Sequence, residues 1–192
     1  MSPRTKEQYE KIRQDKKTLI KTVALKLFAT EGYYNSSISK IAKIAGISKG
    51  LLYNYFDSKE MLLKEILQEG IQELTSNFDP NHDGILTQKE AEFFVRSTFT
   101  LMKKNVSYWK LYFSLLIQPL VLDFAEEHLW SMIRPIMEIS NNYFKSKGVK
   151  EPAAYSRAFI AILDGIGLHY LLDTENFPLD DVTDLIIEKF IY

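Results

Sequence analysis

The stretch Thr22–Leu67, TVALKLFATEGYYNSSISKIAKIAGISKGLLYNYFDSKEMLLKEIL, decides the fold of this 192-residue chain. Apolar residues recur at helical spacing between two breaks, which carry Gly32 and Gly46. Serines stand before the second and third segments, where a side-chain oxygen can accept a bond from a free N–H group of the first helical turn. The pattern predicts three short helices, and the last two form a helix-turn-helix over about residues 37–56.

A helix-turn-helix holds its second helix at a fixed angle for insertion into the major groove of DNA. The segment Ser48–Tyr55 is predicted to be this reader helix, and Gly46 permits the sharp turn before it. A miniature core should support the motif, and its predicted members are Ile38, Ile41, Ile47, Leu52 and Phe56.

Helical periodicity continues through the rest of the chain, and no stretch alternates convincingly as a strand would. A first helix is predicted over 18–30, and Pro135 is expected to kink or split one of the later helices. The later helices are predicted over 59–77, 88–104, 107–118, 120–147, 152–173 and 178–190. The fold class is therefore all-α, with an N-terminal three-helix helix-turn-helix module followed by a C-terminal helical domain.

The amino-acid composition argues against several classes of protein. Hydrophobic residues make up 46% of the chain and no apolar run is long enough to span a bilayer, so a cytoplasmic protein without a membrane partner is expected. The charged N-terminus lacks the apolar core of a secretory signal. Because the chain has no cysteine, disulfides, thiolate metal sites and cysteine nucleophiles are excluded. No nucleophile elbow, phosphate loop or zinc motif occurs, so we expect no enzyme.

Charge is distributed unevenly. Residues 1–64 contain 13 Lys and Arg against 6 Asp and Glu, whereas residues 65–192 contain 11 against 19. The basic front favours a polyanionic partner such as nucleic acid. The basic extension over residues 1–13 either lengthens the contact with the DNA backbone or is the solvated start of a helix, and the sequence leaves both open.

Several short motifs at fixed spacing resemble the DNA-binding module of the TetR (tetracycline repressor-like) family of regulators. They are Ala24-x-x-Leu27-Phe28, Gly32-Tyr33, Ser36-Ser37-Ile38, Ile41-Ala42, Ala45-Gly46-Ile47-Ser48-Lys49-Gly50, Leu52-Tyr53-x-Tyr55-Phe56 and Ser58-Lys59-Glu60-x-Leu62. The resemblance covers roughly residues 14–74, the predicted DNA-binding domain. Residues 75–192 match only in being helical and of suitable length, and the resemblance implies that they bind an effector and dimerise.

The resemblance also implies a set of DNA-contacting positions. Tyr53 and Lys59 would contact phosphates, Lys59 from the start of the fourth helix. Lys49 could donate to guanine from the front of the reader helix. The full predicted set is Ser37, Ser48, Lys49, Gly50, Leu51, Tyr53, Asn54, Tyr55 and Lys59.

The other members of this set have more varied roles. Ser37 is a further phosphate-contact candidate at the start of the second helix. Asn54 could bind adenine or a phosphate, and Leu51 could meet a thymine methyl group. For Tyr55, packing at the rim of the core is an equally open interpretation.

For the C-terminal domain the resemblance implies a small-molecule effector and a homodimer. The dimer would form through the last two helices, 153–172 and 182–191, and would bind a palindromic double-stranded operator. The implied function is a ligand-responsive transcriptional regulator, most often a repressor, that requires no cofactor. The candidate effector-pocket residues are Trp109, Tyr112, Phe113, Gln118, Phe124 and His128.

An unexpected pattern lies between the two domains. Residues 79–90 match the EF-hand loop D-x-[DN]-x-[DN]-G-x5-E at every constrained position. The predicted Ca²⁺ ligands are Asp79, Asn81, Asp83, the Ile85 carbonyl, Thr87 and Glu90. A capped interhelical loop explains the same residues, since EF-hands usually work in pairs and only one loop occurs here. The alternative function is a calcium-sensing helical module in which DNA binding is secondary.

Overall fold

The computed structural model describes residues 5–192, except for the side chains of residues 120 and 122–125. The described chain consists of α-helices without β-strands, which confirms the all-α prediction. The helices are α1 (Lys6–Glu31), α2 (Ile38–Ile44), α3 (Lys49–Tyr53), α4 (Lys59–Thr75), α5 (Gln88–Lys104), α6 (Val106–Leu116), α7 (Pro119–Ser146), α8 (Pro152–Leu172) and α9 (Leu179–Phe190).

The chain forms two compact units. The first comprises residues up to Glu69 together with Ser114–Ala125, and the second comprises Gly70–Phe113 and Glu126–Tyr192. Both units contain segments that are distant in sequence, which a division at residue 74 does not anticipate. No helix among the described residues is long and apolar enough to cross a membrane.

Helix α1 begins much earlier than the predicted residue 18. Thr5 caps it by accepting a hydrogen bond from the Gln8 N–H group, and the Gln8 side chain accepts one from the Thr5 N–H group. This reciprocal arrangement satisfies two backbone donors that the first turn leaves free. The basic extension is therefore helical from Lys6 onward.

The remaining helix ends lie close to the predicted ones. Helix α3 is shorter than the predicted Ser48–Tyr55, because Ser48 is its N-cap and Asn54 its C-cap. Helix α7 contains Pro135 and runs without a break, so the predicted split does not occur. A proline inside a helix removes one backbone hydrogen bond, and here the flanking turns keep the helix continuous.

The second unit is built around α5, α8 and α9. Helix α5 packs against α9 and α8, and these two also pack against each other. A buried hydrogen bond of 2.7 Å joins the Ser156 and Ser140 hydroxyls of α8 and α7. Because both polar groups are satisfied within the core, their burial costs little.

Gly70 on α4 lies directly against the ring of Tyr112 on α6. A Cβ atom added to Gly70 would lie 2.7 Å from Tyr112 Cδ2 and closer still to Cε2 and Cζ. Gly70 is buried and the Tyr112 side chain is fully buried. Only glycine therefore fits at position 70 with the ring in this place.

Candidate nucleic-acid interface

The turn between α2 and α3 closes tightly around Gly46. This residue has φ +66°, a left-handed conformation in which a side chain is strained. Its N–H group donates to the Lys43 carbonyl at 3.2 Å, and the Ile47 N–H group donates to the Ala42 carbonyl at 3.0 Å. These bonds end α2 and set the direction in which α3 begins.

A serine residue caps the N-terminus of each helix of the motif. Ser37 Oγ accepts a hydrogen bond from the Lys40 N–H group at 3.2 Å, and Ser48 Oγ accepts one from the Leu51 N–H group at 3.1 Å. These hydroxyls therefore act as N-caps. Each hydroxyl hydrogen is still able to donate to an acceptor such as a phosphate oxygen.

Helix α3 packs against a small apolar core, which holds it in position. Ile41 and Leu52 are completely buried, Phe56 is 1% exposed and Ile38 is buried. The predicted core member Ile47 is only half-buried. The short reader helix thus gains its stability from tertiary packing, since five helical residues cannot hold together alone.

The outward side of α3 is exposed and carries the predicted base-reading groups. Leu51 is 38% exposed and Tyr53 41% exposed, although apolar and aromatic side chains are usually buried. The Lys49 ammonium lies 6.0 Å from the centre of the Tyr53 ring. The fold therefore presents one cation, one phenol and one aliphatic group together. The predicted members on this side are Ser48, Lys49, Gly50, Leu51, Tyr53 and Asn54.

Tyr55 occupies a different position from its neighbours. Its side chain is half-buried, and the Arg13 guanidinium lies 5.9 Å from its ring centre. This agrees with packing at the rim of the core. The contact also brings α1 to the end of the reader helix, which sequence reasoning did not foresee because the two residues are far apart in the chain.

Lys59 has an internal role that the sequence did not indicate. Its ammonium donates to the Tyr33 carbonyl at 3.0 Å and to the Ser36 carbonyl at 3.1 Å, and it lies 4.2 Å from the centre of the Tyr33 ring. Lys59 thereby ties the start of α4 to the turn between α1 and α2. These two bonds use two of the three donors of the ammonium, and the phosphate contact of Lys59 stays a prediction.

Two ionisable groups near Lys59 have shifted pKa values. Burial raises the pKa of the Tyr33 phenol well above its usual range, and the nearby Glu60 carboxylate raises it further. Hydrogen bonds from its own backbone N–H group and from Ser58 lower the pKa of Glu60. At neutral pH the phenol is thus neutral and the carboxylate charged at the start of α4, where negative charge is favourable.

The predicted effector residues are divided between the two units. Gln118 belongs to the first unit, where its amide nitrogen donates to the Phe28 carbonyl at 2.9 Å and its oxygen accepts from the Tyr33 N–H group at 3.4 Å. Its amide thus closes the end of α1, a role that only the tertiary structure reveals. The side chain of Phe124 lies outside the described residues.

The other four candidates belong to the second unit. Trp109 and Tyr112 are fully buried, with ring centres 5.5 Å apart, and Phe113 is half-buried. The Nε2 atom of His128 is buried without a hydrogen-bond partner in the described part of the chain. A buried polar atom without a partner is costly unless something else satisfies it.

The loop over residues 79–90, which matches the EF-hand pattern, is stabilised by hydrogen bonds among its own residues. Asp79 Oδ2 accepts from the Gly84 N–H group at 3.0 Å, and Gly84 has φ +75°. Asp83 Oδ1 accepts from the Ile85 N–H group at 2.8 Å. Glu90 Oε2 accepts from the Thr87 N–H group at 2.8 Å, forming a capping box at the start of α5.

These side chains do not form a metal cluster. Among the described residues, no group of three or more histidine or acidic side chains is arranged to hold a metal ion. The Glu90 carboxylate faces the helix start, and it would have to leave its capping position to bind Ca²⁺ from two oxygens. The capped interhelical loop is thus the arrangement that the structure contains.

A short reader helix with exposed Lys49 and Tyr53, capped by serine and set by a glycine turn, defines a DNA-binding protein of the helix-turn-helix class. A model of the family "Bacterial regulatory proteins, tetR family" matches residues 20–66. The DNA-binding module of this chain is therefore similar to that of the tetR-family transcriptional regulators.

Two relatives from Bacillus subtilis (strain 168) are uncharacterized HTH-type transcriptional regulators. YuxN is 34% identical over 118 residues, which are 59% of this chain and only 38% of YuxN. YhgD is 27% identical over 176 residues, which cover 88% of this chain and 90% of YhgD. Among solved structures, Bacillus subtilis FadR in complex with stearoyl-CoA has the same fold, with TM-score 0.70 and 19% identity over 91% of this chain and 97% of that one.

Proposed function

We propose that this regulator is a homodimeric repressor that binds a palindromic operator and is released from it by a small-molecule effector. The observation that carries the proposal is the exposed face of α3, where Lys49, Leu51 and Tyr53 stand free of the core below them. Two copies of such a helix can read two half-sites when a dimer holds them at a fixed spacing. No cofactor is required for this activity.

A surface suited to dimerisation lies on α8 and α9. Side chains at helical spacing on α8 form a stripe of small residues that ends in leucines, and Leu172 is 74% exposed. On α9, Leu185 is 50% exposed. Small residues let two helices approach closely, and exposed leucines gain free energy when a partner covers them. The α8 stripe consists of Ala154, Ala158, Ala161, Gly165, Leu168 and Leu172.

The effector is proposed to be a small molecule with an apolar body and one hydrogen-bonding group. Trp109 and Tyr112 would contact the apolar body, and His128 Nε2 would bond to the polar group. Binding would favour dimers whose reader helices no longer match the half-site spacing.

A mobility-shift assay with the chain's own upstream region tests the proposed function. We expect a specific complex that survives excess random duplex and that a fitting effector dissociates. Selection from a random duplex pool would recover the operator if it lies elsewhere. Enrichment of no sequence from that pool would contradict the proposal.

Ala161→Arg should break the dimer. It places a long cation in the middle of the α8 stripe, where two charges would face each other across the interface. We expect a shift from dimer to monomer in light scattering after size exclusion, with loss of high-affinity operator binding. Ser107→Arg adds the same side chain at an exposed position of α6 and should remain dimeric. A dimeric Ala161→Arg variant would rule out this interface.

Calcium binding by the loop is a second, separable proposal. The observation that favours it is Asp79 Oδ1, which is buried and has no hydrogen-bond partner among the described residues. This oxygen belongs to the first position of the EF-hand pattern, where a carboxylate binds the ion. The remaining ligands would be Asn81, Asp83, the Ile85 carbonyl, Thr87 and Glu90 after it leaves its cap.

Isothermal calorimetry of the full chain tests this loop. We expect weak Ca²⁺ binding, with a dissociation constant on the order of 10⁻⁴ to 10⁻³ M, because few carboxylates are present. Glu90→Gln should abolish the heat of binding while keeping an oxygen for the helix cap. Absence of heat from the unaltered chain at millimolar Ca²⁺ would remove the proposal, and operator binding would be unaffected by that result.

A further inference from the structure

The first three turns of α1 carry a stripe of basic and aromatic side chains, exposed except for Lys16, which is half-buried. Lys6, Tyr9, Arg13 and Lys16 follow one another at helical spacing, and the same spacing continues to Ile20, which is completely buried. Farther along, this side of α1 packs into the core of the DNA-binding module. Its beginning is instead basic and aromatic, with Tyr9 59% exposed. We name the set Lys6, Tyr9, Arg13 and Lys16 the basic stripe.

The basic stripe lies beside the reader helix. The Arg13 guanidinium is 5.9 Å from the ring centre of Tyr55, which directly follows α3 and its C-cap Asn54. One turn further along α1, Lys17 lies 5.3 Å from the Phe56 ring and bonds to Glu65 at 2.7 Å. These contacts anchor α1 to the end of α3 and to α4. The segment of α1 that directly follows the helix start is therefore held beside the C-terminal end of the reader helix.

The charges of the stripe fit one kind of partner. Lys6, Arg13 and Lys16 bring three cations to one side of the helix, whereas Glu7 and Asp15 fall on other sides and Glu10 lies at its edge. A helix start held beside a reader helix and rich in cations complements the phosphates next to the base pairs being read. An exposed tyrosine among them can donate to a phosphate oxygen.

We infer that the basic stripe of α1 binds the DNA backbone flanking each half-site and so lengthens the operator beyond the base pairs that α3 reads. The inference rests on the proposed operator binding and adds a second contact surface to it. The contact carries no base information, because phosphates are alike along the duplex. It strengthens binding to any sequence and makes the affinity more sensitive to salt.

The test compares two triple variants of the full chain. Lys6→Ala/Arg13→Ala/Lys16→Ala removes the cations of the stripe. Lys11→Ala/Lys26→Ala/Lys110→Ala removes three exposed cations elsewhere and changes the net charge equally. Alanine favours helix formation, so α1 should persist, and circular dichroism verifies this. Operator affinity is measured from low to moderate salt on the selected operator with long flanks and on the same operator trimmed to the two half-sites.

On the long duplex we expect the stripe variant to have a less steep dependence of log affinity on log salt, by roughly 0.9 for each lost phosphate contact. The control should keep the steepness of the unaltered chain. On the trimmed duplex all three proteins should bind alike. Hydroxyl-radical protection of the flanks should be lost in the stripe variant alone.

Equal salt dependence and equal flank protection for the stripe variant and the unaltered chain would overturn the inference and leave the proposed function intact. Loss of dimerisation by the stripe variant would also overturn it, because the stripe would then serve contact between protein chains. Absence of specific DNA binding by the unaltered chain would instead contradict the proposed function.

Discussion

Lys49→Ala weakens specific operator binding by roughly 30- to 10⁴-fold per dimer. The Lys49 side chain is exposed at the first position of α3, where the start of a reader helix meets base edges. A good side-chain contact to a base is worth about 1–3 kcal/mol, and a symmetric dimer loses it twice. Fluorescence anisotropy with a labelled operator measures the change. Affinity for random duplex should fall much less, because base discrimination is what Lys49 supplies.

Tyr53→Ala should affect DNA binding differently from Lys49→Ala, because Tyr53 is predicted to contact a phosphate and not a base. Losing the Tyr53 hydrogen bond to a phosphate should weaken binding to every sequence to a similar extent. Because tyrosine is uncharged and displaces no counterion, the salt dependence should stay as steep as in the unaltered chain. Lys26→Ala, an exposed cation on α1, is the control for charge and should bind as the unaltered chain does. If both Lys49→Ala and Tyr53→Ala retained full operator affinity, α3 would not be the reader helix.

Gly70→Ala destabilises the protein by about 2–3 kcal/mol, although alanine in a helix is intrinsically favoured over glycine by about 1 kcal/mol. The added methyl group would overlap the Tyr112 ring. That ring is fully buried and has no free space to rotate into, because other aromatic rings adjoin it. Its neighbours are Tyr108, stacked at 6.1 Å, and the edges of Trp109 at 5.5 Å and Phe113 at 6.1 Å.

Thermal unfolding at fixed protein concentration measures this effect, and we expect the midpoint to fall by roughly 5–10 °C. Gly50→Ala is the matched control, since its Cβ atom meets nothing within 4 Å and no loss of stability is expected without DNA. In a Tyr112→Leu background the same Gly70→Ala change should cost much less, which a double-mutant cycle detects. An unchanged midpoint for Gly70→Ala would show that Tyr112 moves freely.

Most helix ends were predictable because local chemistry decides them. Ser37, Ser48 and Thr87 each cap the helix that follows with a side-chain oxygen, and Gly46 ends α2 at positive φ. The prediction that the first helix begins at residue 18 was wrong, because α1 begins at Lys6. The Thr5 and Gln8 side chains form a capping box there, and the apolar periodicity used for the prediction does not extend so far.

The functional site was predictable only in part. Exposure of Lys49, Leu51 and Tyr53 agrees with their predicted place on the reader helix, while their contacts with DNA stay predictions. The internal hydrogen bonds of Lys59 could not be foreseen, because its acceptors Tyr33 and Ser36 lie more than twenty residues away in sequence. Distance along the chain likewise hid the position of Arg13 beside Tyr55.

The EF-hand pattern over residues 79–90 is a second case in which the sequence could not predict the contacts of the side chains. Spacing alone predicted six ligands in one loop, but it did not specify where each oxygen points. In the folded chain Glu90 caps α5 and Asp83 bonds to the Ile85 N–H group, and both arrangements compete with an ion for these carboxylates. A motif specifies which oxygen atoms could bind an ion. The surrounding backbone determines which of them already accept hydrogen bonds.

The sequence by itself determined the helix-turn-helix, because caps, a positive-φ glycine and apolar spacing act within a few residues of one another. It also predicted where α3 lies and which of its residues are exposed. Only the tertiary structure decided that Lys59 and Gln118 bond to the backbone around the end of α1, that Gly70 must lack a side chain beside Tyr112, and that α1 brings its basic start to α3. These features depend on contacts between residues far apart in the chain, which form only when packing has set the distances.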